Sequence, residues 1–256
     1  MREATDLDDP AARATAPAMG PDKEPARIAG MFDAIAPRYD LLNHLLSAGI
    51  DRRWRATAIA SLELTGREMV LDVCTGTADV ALEASARAGG VLGVDFSPAM
   101  LALGRRKVAA AQVSDRVRLL RGDATRLPVR SASVDAATVA FGVRNVQGPE
   151  AACAELARVL RPGGRVAILE FGVPRMAGLR TLYLWYFRRV LPRIGRMISG
   201  HSGAYSYLPA SVGTFPSPEA FVAMLELVGF ERVRARRLTG GIVVLYTGVN
   251  ARPVVR

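Results

Sequence analysis

The chain has 256 residues, half of them apolar, which suits one full α/β domain with extensions and a core that forms without covalent staples. Its two cysteines, Cys74 and Cys153, lie in no CxxC or Cys/His cluster, so a disulfide framework is excluded and a reducing cytosol is expected. The net charge of +10 admits nucleic acid, an anionic membrane surface or an acidic metabolite without choosing among them.

Residues 1–25 are rich in Ala, Pro and Asp with no apolar period, and read as a disordered tail. Residues 1–24 hold six acids against three bases, which leaves about +13 on the remainder. No export pattern opens the chain, and no apolar run of about 18 residues occurs that would span a bilayer. From Ile28 to about Leu64 the pattern is helical. Then strand-like and helical runs alternate. Met69–Cys74 is a strand and Ala78–Ala88 a helix; Val91–Phe96 is a strand, followed by a helix opening on Ser97-Pro98 as N-cap and first helical residue. Val117–Gly122 and Val134–Phe141 are strands; Pro149–Leu160 is a helix that stops at Arg161-Pro162-Gly163-Gly164; Arg165–Phe171 is a fifth strand. After an insertion over 172–216 and a helix at Pro218–Val228, the β-rich runs Glu231–Leu238 and Ile242–Val249 flank a Gly240-Gly241 turn. The alternation predicts a doubly wound, mostly parallel sheet closed by an antiparallel hairpin, in a domain spanning 26–250.

Ligands of such sheets bind beyond the carboxyl ends of the strands. The first strand runs into Asp72-Val73-Cys74-Thr75-Gly76-Thr77-Ala78-Asp79. Gly76 permits close backbone approach and Thr77 offers a hydroxyl. The loop lacks the G-x-G-x-x-G that seats a pyrophosphate, and its acids, Asp72 and Asp79, favour a cation. S-adenosylmethionine, with its sulfonium and ammonium, has the right sign. Asp95 ends the second strand, where an acid accepts from ribose hydroxyls. Asp123, beside Ala124, ends the third and can accept from an adenine amine. Each acid alone also reads as a helix cap.

Several dense blocks carry a resemblance: Met31-Phe32-Asp33 with Ala36-Pro37-Arg38-Tyr39-Asp40, Asn43, Ser47 and Trp54; Phe141-Gly142-Val143-Arg144-Asn145-Val146; Arg158 to Gly164 and Glu170-Phe171; Tyr205-Ser206-Tyr207-Leu208-Pro209; and Gly240-Gly241-Ile242-Val243. On these the chain resembles the C-methyltransferases of ubiquinone and menaquinone biosynthesis. The resemblance implies a class I Rossmann-like methyltransferase that uses S-adenosylmethionine to methylate a ring carbon of a demethylated polyprenyl quinol. The first loop looks closer to the menaquinone branch. Other readings remain open: ubiquinone-pathway methylation, methylation of another aromatic or lipid, or a non-catalytic cofactor- or lipid-binding subunit.

The resemblance implies that Arg144 and Asn145 act on the substrate, with Arg144 stabilising a phenolate so that the ortho carbon becomes nucleophilic. The bland alternative is that Arg144 pairs a core acid and Asn145 caps the loop. Tyr205 and Tyr207 line the ring pocket or pack in the core. Departures from the family pattern are Asp51 for a usual histidine, His201 for a usual aspartate, Ala140 and Gly172 for serines, and Tyr246 for a histidine. The fourth strand ends without the Pro-Pro-aromatic motif of nucleic-acid amino-methylating enzymes, so nucleic acid is not expected as a partner. His44 and His201 show no ligand spacing, and no metal is expected.

Leu179, Leu182, Tyr186, Val190, Ile194 and Met197 fall at helical spacing among Arg180, Arg188, Arg189, Arg193 and Arg196, with Pro192 as a kink. The stretch reads either as an interfacial helix on anionic lipid, which implies a cytoplasmic protein peripheral to the membrane, or as a core helix with a basic edge.

Overall fold

The computed structural model describes residues 23–190, 193 and 202–251, apart from the side chains of residues 25, 187, 188 and 202–206. A seven-stranded sheet runs in the order β3-β2-β1-β4-β5-β7-β6. Its strands are β1 (Met69–Val73), β2 (Gly90–Asp95), β3 (Val117–Arg121), β4 (Val134–Ala140), β5 (Leu160–Phe171), β6 (Phe230–Leu238) and β7 (Val243–Asn250). The first five are parallel; β7 is antiparallel to both β5 and β6. The expected doubly wound sheet with a terminal hairpin is borne out.

The central strands read as unbroken apolar runs because helices cover both faces. Helices α2 (Ile50–Ser61), α3 (Asp79–Ser85) and α4 (Pro98–Ala110) bury Trp54, Ile59, Val80 and Leu101 with Val70 and Val91 on one face. Helices α5 (Pro149–Val159) and α8 (Pro218–Leu227) bury Leu156 and Phe221 with Leu71 and Val73 on the other. Ser97 caps α4 as its sequence predicts, accepting from the Met100 N–H at 3.1 Å.

Two elements differ from expectation. The Arg161–Gly164 stop lies inside β5, because Leu160 is buried and already pairs with Val134 before a register shift leads to Arg165. Helix α1 (Pro25–Leu46) opens on the last residue of the presumed tail; residues 1–22 of that tail lie outside the described residues.

Helix α1 joins α6 (Ala177–Trp185), a π turn at Tyr186–Val190 and α7 (Ser202–Thr214) in a cover built on Ile35, Leu42, Tyr183 and Val212. Phe171 at the end of β5 packs beneath it, and the Tyr186 hydroxyl donates to the Leu46 carbonyl at 3.1 Å. The expected apolar stripe is rotated: Tyr183 is buried, while Leu182 is 59% exposed and Trp185 55% exposed. The contacts of α6 with α1 and α7 select the face through Tyr183, and a π turn cannot continue a 3.6-residue stripe. Pro192, Ile194, Arg196 and Met197 lie outside the described residues. Among the described residues no helix is long and apolar enough to cross a membrane.

Candidate active site

The loop from β1 to α3 alternates left-handed residues: Cys74 (φ 56°), Gly76 (φ 56°) and Ala78 (φ 68°). Only the glycine adopts this region without cost. The loop is held from outside. The Thr75 N–H donates to the Val94 carbonyl at 3.1 Å, and the Gly76 N–H donates to Asp95 Oδ2 at 2.8 Å. Gly142, after β4, presses so closely on Cys74 that a Cβ there would collide with the cysteine side chain.

Asp95 Oδ1 also accepts from the Ser97 N–H at 2.8 Å. Burial pushes the Asp95 carboxyl above its ordinary pKa, opposed by these N–H donors. Asp123 Oδ1 accepts from both the N–H and the hydroxyl of Thr125, each at 2.8 Å. Together with Cys74, Gly76 and Ala124, these acids line a cavity of about 420 Å³ at the carboxyl ends of β1, β2 and β3.

Asp72 and Thr77 are not part of that lining. Asp72 is buried and accepts from the Thr75 hydroxyl at 2.6 Å; burial pushes its pKa up to about 7. Thr77 donates to Asp40 Oδ1 at 2.6 Å. Asp79 is ion-paired with Lys107 and, at 3.3 Å, with Arg55. The acidity at the cavity therefore rests on Asp95 and Asp123, not on the Asp72–Asp79 pair that the sequence suggested.

Three contributors went unseen in the sequence. Ser97 donates to Asp33 Oδ1 at 2.5 Å, tying α1 to α4; Asp33 stood in a recognised block, but nothing local indicated its partner. Lys23 lines the cavity from within the presumed tail, and burial lowers its pKa. Tyr39 lines it from α1.

A second cavity of about 210 Å³ lies under the helical cover and shares Phe32, Tyr39, Phe141 and Asn145 with the first. Its walls are rich in aromatic rings: Trp54 packs edge-on to Phe141 at 6.1 Å, and Phe141 lies 4.6 Å from Phe171. Arg144 reaches it from the 3₁₀ turn after β4. Its guanidinium lies 3.0 Å from Glu170 Oε2 and 5.2 Å from the Phe171 ring centre, and donates to the Phe141 carbonyl. The Arg144 N–H donates to Glu170 Oε1 at 3.1 Å. Arg144 thus does pair a core acid, yet its buried Nε has no hydrogen-bond partner. Nor do Asn145 Oδ1 and the Tyr207 hydroxyl, both buried. All three residues line this cavity, and polar atoms buried without a partner are costly. Tyr205 lies on α7, but its side chain is outside the described residues, as is His201.

The second cluster comes from α1 and α2. Asp51 lines the same cavity and is 4% exposed. Asp51 Oδ2 accepts from His44 Nδ1 at 2.8 Å and is ion-paired with Arg55 at 2.7 Å; Oδ1 accepts from the Ser47 hydroxyl at 2.8 Å. Burial opposes ionisation of Asp51, but Ser47, Arg55 and His44 outweigh it and hold the carboxyl below the usual range. Among the described residues, no group of three or more His, Cys, Asp or Glu side chains could hold a metal ion.

Residues 21–250 match the ubiE/COQ5 methyltransferase family. A ubiquinone/menaquinone biosynthesis C-methyltransferase of Geobacter sp. strain M21 is 48% identical over 227 residues, 88% of this chain and 96% of that one. A demethylmenaquinone methyltransferase of Thermus thermophilus is 49% identical over 220 residues, 85% of this chain and 99% of the other. In fold, the chain resembles a solved methyltransferase of Thermotoga maritima with a TM-score of 0.61 at 19% identity, covering 88% of this chain and 100% of that structure.

Proposed function

Because the chain belongs to the ubiE/COQ5 methyltransferase family, we propose that it transfers a methyl group from S-adenosylmethionine to a ring carbon of a demethylated polyprenyl quinol, demethylmenaquinol in the first place. The observation that carries this reading is the pair of adjoining cavities: one acidic and nucleoside-sized, the other aromatic with unsatisfied polar atoms, meeting at Phe141 and Asn145.

The first cavity fits the cofactor chemically. Each Asp95 oxygen takes one backbone N–H and retains acceptor capacity for the ribose hydroxyls. Asp123 retains Oδ2 for the adenine amine, beside Ala124. Gly76 keeps the backbone open to close approach, and Lys23 supplies a cation for the amino-acid carboxylate. Asp72 and Thr77 support this site from behind, by holding the loop. When bound, the cofactor supplies an electrophilic methyl group.

The chain's own residues then position and polarise the acceptor. A phenol has a pKa near 10, so its oxygen needs help to share charge with the ring. The orphaned Arg144 Nε is a donor for that oxygen, and because Glu170 already balances the guanidinium the site carries little net charge before the phenolate develops. Asn145, common to both cavities, orients the ring. Tyr207, on α7, bounds the ring pocket. The aromatic walls exclude water and hold the ring in line with the methyl group, which lowers the barrier by avoided entropy loss.

The polyprenyl tail must stay in an apolar phase. Met176, just before α6, and Leu182 and Trp185 on it are exposed among Arg180, Arg189 and Arg193, a combination suited to an anionic membrane surface. This supports peripheral attachment with the ring cavity near the lipid.

The test is anaerobic incubation with S-adenosylmethionine and reduced demethylmenaquinone, followed by mass spectrometry of the extracted quinones. Gain of one methyl group supports the reading. A chain that binds cofactor yet leaves the quinone mass unchanged over many cofactor equivalents would overturn it.

A further inference from the structure

We propose that Asp51 makes the second cavity selective for the reduced, dihydroxy form of its ring by accepting a hydrogen bond from the hydroxyl remote from Arg144. This rests on the quinol reading above and adds to it a residue and a redox preference.

The cavity carries two polar clusters from different parts of the chain. One, on the loop after β4 and on α7, includes Arg144 and Asn145 from the loop and Tyr207 from the helix, each with a buried polar atom that lacks a partner. The other, from α1 and α2, centres on Asp51, the only carboxylate among the described lining residues. Aromatic rings, Trp54, Phe141 and Phe171 among them, share the wall with both clusters. A flat ring with polar groups on opposite edges suits this arrangement.

The two clusters differ in kind. An ionised carboxylate only accepts hydrogen bonds and has about four acceptor positions. Two are used by hydrogen bonds, His44 on Oδ2 and Ser47 on Oδ1, and the Arg55 ion pair crowds Oδ2 further. Oδ1, with one donor, is the oxygen with room for another. A quinol hydroxyl can fill it by donating. A quinone carbonyl cannot donate, and its oxygen would face a buried anion. Sites built around a buried polar group reject the analogue that leaves the group unpaired by large factors. The three groups keep Asp51 ionised, so the discrimination is built into the ground state of the protein.

The preference also serves the chemistry, because only the dihydroxy ring is electron-rich enough at carbon to attack a methyl group. Binding of the oxidised ring would block the site without reaction.

The experiment compares binding of 1,4-naphthoquinone and its hydroquinone to the full chain under anaerobic conditions, with Asp51→Asn in parallel. The parent should bind the hydroquinone at least about tenfold more tightly. Asp51→Asn, whose amide can donate to a carbonyl, should lose or invert that ratio while cofactor affinity stays within about twofold. Equal affinity of the parent for both rings overturns the assignment whether or not the variant folds. So does a preference that survives intact in Asp51→Asn. Binding of neither ring would sink the quinol reading itself, and the inference with it.

Discussion

Arg144 joins a buried ion pair to the role proposed for it toward the ring, and one substitution cannot separate the two. Its pair with Glu170 is buried, with the acid at 0% exposure, and breaking such a pair from one side costs about 3–5 kcal/mol. Arg144→Gln should therefore lower both melting temperature and turnover, the latter about a hundredfold or more. Adding Glu170→Gln removes the uncompensated acid and should recover most of the stability but not the rate. Thermal melts and initial rates of the two variants check this. Recovery of both would make Arg144 a packing residue only. Asp72 shows a different kind of coupling. Its pKa is about 7 when folded against an ordinary 3.8, so between these values the folded chain holds a proton that the unfolded chain releases. The stability it contributes is complete below about pH 4 and is lost as pH rises through 7. Relative to the parent, Asp72→Asn should gain stability steadily from pH 4 to 8, by up to roughly 4 kcal/mol. Denaturant melts at several pH values measure the difference; a gap that does not vary with pH would contradict it.

Among the elements, strands and caps were legible because their signals are local: apolar runs for β1 and β2, and Ser97-Pro98 for α4. The face of α6 was not. Leu182 and Tyr183 are neighbours that can each cover a core, and which is buried depends on α1 and α7, far away in the chain. The outcome leaves Leu182 and Trp185 outward among arginines, which sharpens the membrane expectation. Each arginine near an anionic surface contributes on the order of 1 kcal/mol, screened by salt. Replacing Arg180, Arg189 and Arg193 by Gln should reduce sedimentation with anionic vesicles most at low ionic strength, and Trp185→Ser should reduce it with little dependence on salt. Unchanged sedimentation of both variants would return α6 to ordinary surface helix. The β1–α3 loop offers a similar test of packing. Gly142→Ala must displace Cys74 from its left-handed position, so calorimetry should show cofactor affinity reduced by tenfold or more. Parent-like affinity would mean that the loop tolerates the shift.

At the scale of the whole molecule, the sequence pointed to acids at strand ends that face a cavity, but not to which ones. Asp95 and Asp123 do; Asp79 is neutralised by Lys107 and Arg55, both remote in sequence, and Asp72 turns inward to Thr75. Arg144 and Asn145 were legible through their block, whereas the Glu170 pair that shares Arg144 and the Ser47–His44–Asp51 cluster needed three dimensions. The two cavities meet only because the helical cover closes over the carboxyl ends of the strands, and that junction is what makes the fold a device for moving one carbon between two ligands. Its central claim is that the acceptor is a ring carbon and not an oxygen. The most direct measurement supplies S-adenosylmethionine labelled with carbon-13 in its methyl group, together with reduced demethylmenaquinone, and reads the product by carbon NMR. The labelled carbon should resonate as a methyl bonded to an aromatic ring carbon; a methoxyl resonance, or an unlabelled quinone after cofactor turnover, would contradict it.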